Sequence, residues 1–184
     1  MGAEQKESDT MKTAIITAAL IATASTASAG LFELGKSGEW VTSYSTADAG
    51  QTCTMASEGT DRDKIYLFAI MDNQGQENIA ISIEVNRVNY EGNPQRNTHL
   101  SVDGETYTFS DSEWYTEEAD LLEIDWLWDG VVGNPFDFFV MMESGLNLEL
   151  LSERGNPVSR WNLDGFGDAA MVWVDCISKM GPSA

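Results

Sequence analysis

The sequence predicts a mainly β fold: a single-domain antiparallel β-sandwich or barrel-like sheet with one C-terminal α-helix. Three observations predict it. Short runs rich in β-branched and aromatic residues recur along the chain, each bounded by turn chemistry. Only the last segment repeats its apolar residues convincingly at helical spacing. Finally, Cys53 and Cys176 stand near opposite ends of that series, so that a single covalent bond would tie the start of the domain to its end.

Taken in order, Glu39 to Ser45 (EWVTSYS) opens the fold, and Gln51 to Ser57 (QTCTMAS) follows Asp48-Ala49-Gly50. Lys64 to Met71 (KIYLFAIM) is nearly continuous in apolar residues, which predicts a central strand. Asn78 to Val85 alternates, with Ile79, Ile81, Ile83 and Val85 on one face. The turn Asp72 to Gln76 between these two runs makes them a hairpin. Tyr90 to Asn97 holds Gly92 and Pro94 and reads as a loop. His99 to Val102 and Glu105 to Phe109 flank Asp103-Gly104, a pair that tolerates the two positive φ angles of a type I′ turn. Glu113 to Asp120 is an acidic connection. In Leu122 to Trp128, Leu122, Ile124, Trp126 and Trp128 point one way, and Glu123 and Asp125 the other. Phe136 to Met142, apolar apart from Asp137, continues the β-prone series. Leu146 to Leu151 and Pro157 to Leu163 pair across Arg154-Gly155-Asn156.

The last element departs from period two. Phe166, Ala170, Trp173, Ile177 and Met180 form a stripe at helical spacing. Asp164 can cap its start, Lys179 suits its last turn, and Gly181-Pro182 can stop it. Cys176, three residues after Trp173, looks toward the same core.

Upstream, Met11 to Gly30 reads MKTAIITAALIATASTASAG. Lys12 is the positive region, Ala14 to Ala24 the apolar run, and Ala27-Ser28-Ala29 the small residues of a cleavage site, which is a signal-peptide pattern. The apolar run is about half the length that spans a bilayer. Residues 1–10 read as an extension ahead of a start at Met11, 11–29 as a signal peptide, and 30–184 as a single β-rich domain. The expected location is periplasmic or secreted, with no transmembrane segment in the mature protein. In such a compartment an isolated cysteine pair forms a disulfide, here Cys53 to Cys176. The chain-entropy model assigns a loop of this length about 4–5 kcal/mol.

Charge narrows the partners. The chain carries 30 acidic and 10 basic residues, a net charge of −20. Nucleic acid needs a basic footprint, and the sequence has none. An anionic membrane surface repels it for the same reason. Such acidity suits solubility in a salty medium, or a cationic partner or calcium.

Two stretches resemble a known family. Trp40-Val41 followed by Cys53-Thr54-Met55 is similar to the opening of invasion-associated locus B family proteins. Gly145-Leu146-Asn147-Leu148, the Gly155 turn and Trp161-Asn162-Leu163-Asp164-Gly165-Phe166, with Ala169 and Ala170, resemble the family's closing strand pair and Ala-containing helix. This chain departs from the pattern in having no cysteine soon after Trp40 and in placing Cys176 in the terminal helix. The resemblance implies an exported envelope protein whose founding role is assistance in host-cell invasion. It carries over no catalytic residues.

Catalytic chemistry finds little support in the residues. His99, beside Ser101, is the only histidine, and a serine nucleophile needs a base positioned next to it. A zinc site needs several His or Cys ligands. There is no phosphate loop or dinucleotide fingerprint. A glycosidase needs only two carboxylates, which this acidic chain supplies by chance. No cofactor is expected. Calcium is a weaker expectation, resting on the turns Asp61-Arg62-Asp63 and Asp72 to Glu77 and on the run Glu117, Glu118, Asp120, Glu123 and Asp125. Trp114, Tyr115, Trp126 and Trp128 cluster around that run and form the candidate binding surface. Rings beside carboxylates anchor protein interfaces or stack on sugars. The sequence reading is therefore a non-catalytic protein that binds an envelope or extracellular protein. The alternatives are a carbohydrate-binding module using those aromatics and, behind it, a secreted glycan hydrolase.

Overall fold

The computed structural model describes residues 30–47, 50–72, 74–86, 90, 99–108, 114–118, 121–127 and 135–181. Its strands are β1 (Phe32–Ser37), β2 (Trp40–Ala47), β3 (Gly50–Glu58), β4 (Lys64–Asp72), β5 (Glu77–Asn86), β6 (His99–Val102), β7 (Glu105–Thr108), β8 (Trp114–Glu118), β9 (Leu121–Leu127), β10 (Asn147–Leu151) and β11 (Pro157–Asn162). The helices are α1 (Pro135–Ser144) and α2 (Phe166–Lys179). Seven strands make one antiparallel sheet in the order β1-β2-β3-β4-β5-β9-β8, and four make a second in the order β11-β10-β6-β7. The architecture is β-sandwich-like and mainly β, as the sequence predicts.

Register explains where the core sits. Met55 pairs with Leu67, Leu67 with Ile81, and Ile81 with Trp126. One row along, Ser57, Ile65, Ile83 and Ile124 are aligned in the same way. Because side chains alternate across a strand, these rows share one face of the large sheet, and every residue in them is buried. Leu100, Val102, Leu148, Leu150 and Trp161 of the small sheet join the same core, as do Phe138 and Met142 of α1 and Trp173 of α2. Burying a large apolar side chain of this kind contributes roughly 1.5–3 kcal/mol.

Three indole N–H groups fasten the layers to backbone carbonyls. Trp40 donates to Asn162 at 2.9 Å, Trp161 to Asp63 at 3.3 Å, and Trp173 to Cys53 at 3.0 Å. Each satisfies a polar group that would otherwise be costly to bury. The Cys53–Cys176 disulfide is formed, with Cα atoms 6.1 Å apart, and pins α2 to β3. The expected hairpin at Asp103-Gly104 is present, with φ of 49° and 92°. Asp103 also accepts the N–H groups of Leu146 and Asn147 at 2.8 and 3.0 Å, so the hairpin turn holds the start of β10.

At four places the structure departs from the sequence pattern. Among the described residues the first strand is β1, ahead of the strand read from Glu39. β1 carries Gly35 and a bulge between Glu33 and Gly35, which erase a clean alternation. Phe136 to Met142 lies in helix α1, not a strand. Phe138 and Met142, four apart, are its buried positions, it begins at Pro135, which suits a first turn, and Gly145 closes it by donating to Met141. The acidic connection from Glu113 contains strand β8. Finally, Gly165 rather than Asp164 is the N-cap of α2, at φ 82° with no side-chain cap bond. The chain there runs so close to β1 that a Cβ on Gly165 would lie 2.5 Å from the Ser37 backbone, which excludes a capping side chain. The signal peptide, most of the Tyr90 to Asn97 loop, Trp128 and Pro182 lie outside the described residues.

Candidate functional site

The face of the large sheet opposite the core carries polar rows. In one, Tyr66 of β4 pairs with Ser82 of β5, Ser82 with Asp125 of β9, and Asp125 with Trp114 of β8. In the next, Lys64, Glu84, Glu123 and Thr116 are aligned. β4 is the central strand of seven, so its polar positions are brought under neighbours on both sides. Tyr66 also stacks on Phe68, ring centres 5.5 Å apart, and Phe68 itself is buried.

Hydrogen bonds knit these rows together. The Tyr66 hydroxyl donates to Glu84 at 3.4 Å, and the Ser82 hydroxyl to Glu123 at 3.4 Å. Lys64 lies 3.4 Å from Glu84 and supplies a positive charge to the acidic row. Asp125 bears the electrostatic cost. Burial pushes its carboxyl up to about 6; the Ser82 hydroxyl lowers it, and the nearby Glu84 charge raises it further. Tyr66 is also raised, first by burial and then by Glu84. The face therefore holds a carboxyl that changes charge near neutral pH, beside two further acids and a phenol.

Glu123 and Asp125 are where the sequence places them, pointing away from the core. Trp126 is not a surface residue. It is 1% exposed and faces Ile81, because it follows the alternation of Leu122 and Ile124 into the core. Trp114 and Tyr115 lie on β8, opposite Asp125 and Ile124 in register. Trp128 lies outside the described residues. Tyr66, Ser82 and Glu84 escaped sequence reasoning as site residues. Their only signal is that they alternate with buried apolar neighbours.

The other candidates resolve differently. The Asp72 carboxylate accepts the N–H groups of Gln74 and Gln76, both at 2.8 Å, so its oxygen holds the turn. Asp63 is buried and accepts the Asn86 N–H at 3.0 Å; burial raises its carboxyl, against the lowering influence of Ser159 and Asn86. Asp61 and Arg62 before it have φ of 57° and 67°, strained for residues with a side chain. His99 sits on the small sheet, paired with Thr108 and Leu151. Among the described residues, no three His, Cys, Asp or Glu side chains are gathered as a metal ion requires. Nor is any helix among them long and apolar enough to cross a membrane. No family model, curated protein or solved structure matches the chain.

Proposed function

We propose that this is an exported, non-catalytic protein of the periplasm or the secreted fraction that acts by binding a partner, as its resemblance to invasion-associated locus B proteins implies. The binding surface in this reading is the polar face around β5, β9 and β8. The acids that register gathers on this face, Asp125 on one row and Glu84 beside Glu123 on the next, are the observation that carries it. A carboxyl raised to about 6 opposes folding when ionised, and alternation would accept Ser, Thr or Asn there without that cost. A charge kept at a stability cost fits a role in recognition. The partner it suits is an envelope or extracellular protein presenting Lys or Arg, with Glu84 and Glu123 extending the negative surface. The Cys53–Cys176 disulfide supports an oxidising compartment.

A second reading is favoured by one juxtaposition. Trp114 is the register partner of Asp125, and an aromatic residue beside a carboxyl suits a sugar ring. In-cell crosslinking followed by capture of the tagged protein separates the two. Under the first reading, one protein partner dominates and is lost with Asp125→Asn plus Glu123→Gln. Recovery of polysaccharide instead, with loss on Trp114→Ala, transfers the reading to a carbohydrate-binding module. Capture that neither variant changes removes this face from both.

A further inference from the structure

Among the described residues the large sheet ends at β1, and none of their strands pairs with its outer edge. Edges of this kind invite pairing by another strand, and proteins usually blunt them. Here Leu31, Phe32 and Leu34 are 66%, 57% and 46% exposed, so this edge is apolar as well as open.

The charges along β1 select its occupant. Glu33 and Lys36 are the only charged residues of the strand, and both are exposed. In a regular strand, residues three apart lie on opposite faces. The bulge changes that. Glu33 pairs with Ser43 and Lys36 with Val41, two residues apart on β2, so both lie on the same face. Phe32 and Ser37 share the other face, aligned with Tyr44 and Trp40.

An antiparallel copy of β1, related by a two-fold axis perpendicular to the sheet, must oppose residues of the same face. Placing the axis between Leu34 and Gly35 meets that rule for the Glu33–Lys36 and Phe32–Ser37 pairs, whose faces the register fixes. Glu33 then faces Lys36 of the second copy, and Lys36 faces its Glu33. Phe32 faces Ser37 of the second copy, and Leu34 faces its Gly35, which has no side chain to obstruct it. Centring the axis on Glu33 or on Lys36 would oppose like charges, which destabilises a strand pair. The bulge, ordinarily a guard against edge pairing, here makes the charge pattern self-complementary.

We infer that β1 is the contact of a symmetric dimer, in which two large sheets join edge to edge. The partner is a second copy of this chain, and the contact is isologous. Because each copy carries a net charge of −20, long-range repulsion opposes the union and salt screens it. The dimer is therefore tighter at about 0.5 M salt than at 0.05 M, where the Debye length is larger.

Sedimentation velocity on the protein recovered after expression of the full chain tests this. A concentration-dependent dimer is expected, strengthened by salt. Lys36→Glu and Glu33→Lys, each opposing like charges twice, should each weaken association at least tenfold. The double variant Glu33→Lys with Lys36→Glu restores the opposite pairing and should recover the dimer. Circular dichroism confirms that all three remain folded. A monomer at every concentration and salt overturns the inference, and so does a dimer indifferent to the single reversals. Neither result touches the proposed binding face on β5 and β9, since that face lies away from this edge.

Discussion

The two faces of one sheet follow different rules. On the inner face, Met55, Leu67, Ile81 and Trp126 form an unbroken apolar row, sealed by α2 and by the Cys53–Cys176 bond. One residue along the same strands, the outer face sets Tyr66, Ser82 and Asp125 side by side. The backbone and its hydrogen bonds are shared, so the faces differ only in side-chain chemistry and in what covers them. Stability is concentrated on the inner face. The outer face also buries Phe68 and Ile70, but beside them it carries ionisable groups such as Asp125 that oppose folding when charged, and groups retained on such terms are candidates for function.

The comparison breaks most visibly at the disulfide. It closes a separation of 123 residues and constrains the unfolded chain. Replacing both cysteines by alanine should cost about 5 kcal/mol by the chain-entropy model. Urea unfolding of wild type and variant measures it. A loss below about 1 kcal/mol would mean that packing of α2 through Trp173 and Phe166 holds the inner face without the covalent tie.

On the outer face the sign reverses. The Asp125 carboxyl titrates near 6 in the folded protein and near 4 when unfolded. Between those values the native state binds more protons than the unfolded state, so stability falls as pH rises through that window. The favourable contribution is fully present below about pH 4 and lost above about 6. Asp125→Asn should therefore stabilise the protein at pH 7 by about 2 kcal/mol and be near neutral at pH 4. Melting temperatures of both proteins at the two pH values measure the difference, and the subtraction cancels the general effect of net charge. Destabilisation at pH 7 would show that the ionised carboxylate supports the fold, and the contrast between the faces would fail.

The inner face was largely legible in the sequence and the outer face was not, for a physical reason. Ile79, Ile81, Ile83 and Val85 announce a buried face within a single strand, because apolar alternation is local. Leu122, Ile124 and Trp126 do the same. The row of Tyr66, Ser82 and Asp125 exists only through register between three strands, and register depends on turns and pairings that no local pattern states. Trp126 shows the cost of reading residue type ahead of period: an indole near acids suggested a surface, while its position in the alternation placed it in the core. Helix α1 hid because a short run such as Phe136 to Met142 has too little polar contrast to separate periods of 2 and 3.6. β1 hid behind Gly35 and its bulge, features that also set the charge symmetry of the edge.

The smallest effect is the sharpest test. Tyr66 stands at the boundary between the two regimes, its ring stacked on buried Phe68 and its hydroxyl reaching Glu84 at 3.4 Å. That bond is long, and Glu84 retains Lys64 as a neighbour. Tyr66→Phe keeps the ring and its burial, and it removes one donor from an already acidic row. A typical net hydrogen bond contributes only about 1 kcal/mol, and one this long should contribute less. Urea unfolding should therefore place the variant within about 0.5 kcal/mol of wild type. If the outer face serves recognition, crosslinked capture of the partner should fall in the same variant, since the phenol is one of the few neutral donors in that row. A large loss of stability would instead assign Tyr66 to the core's support, and the outer face would begin only at β5.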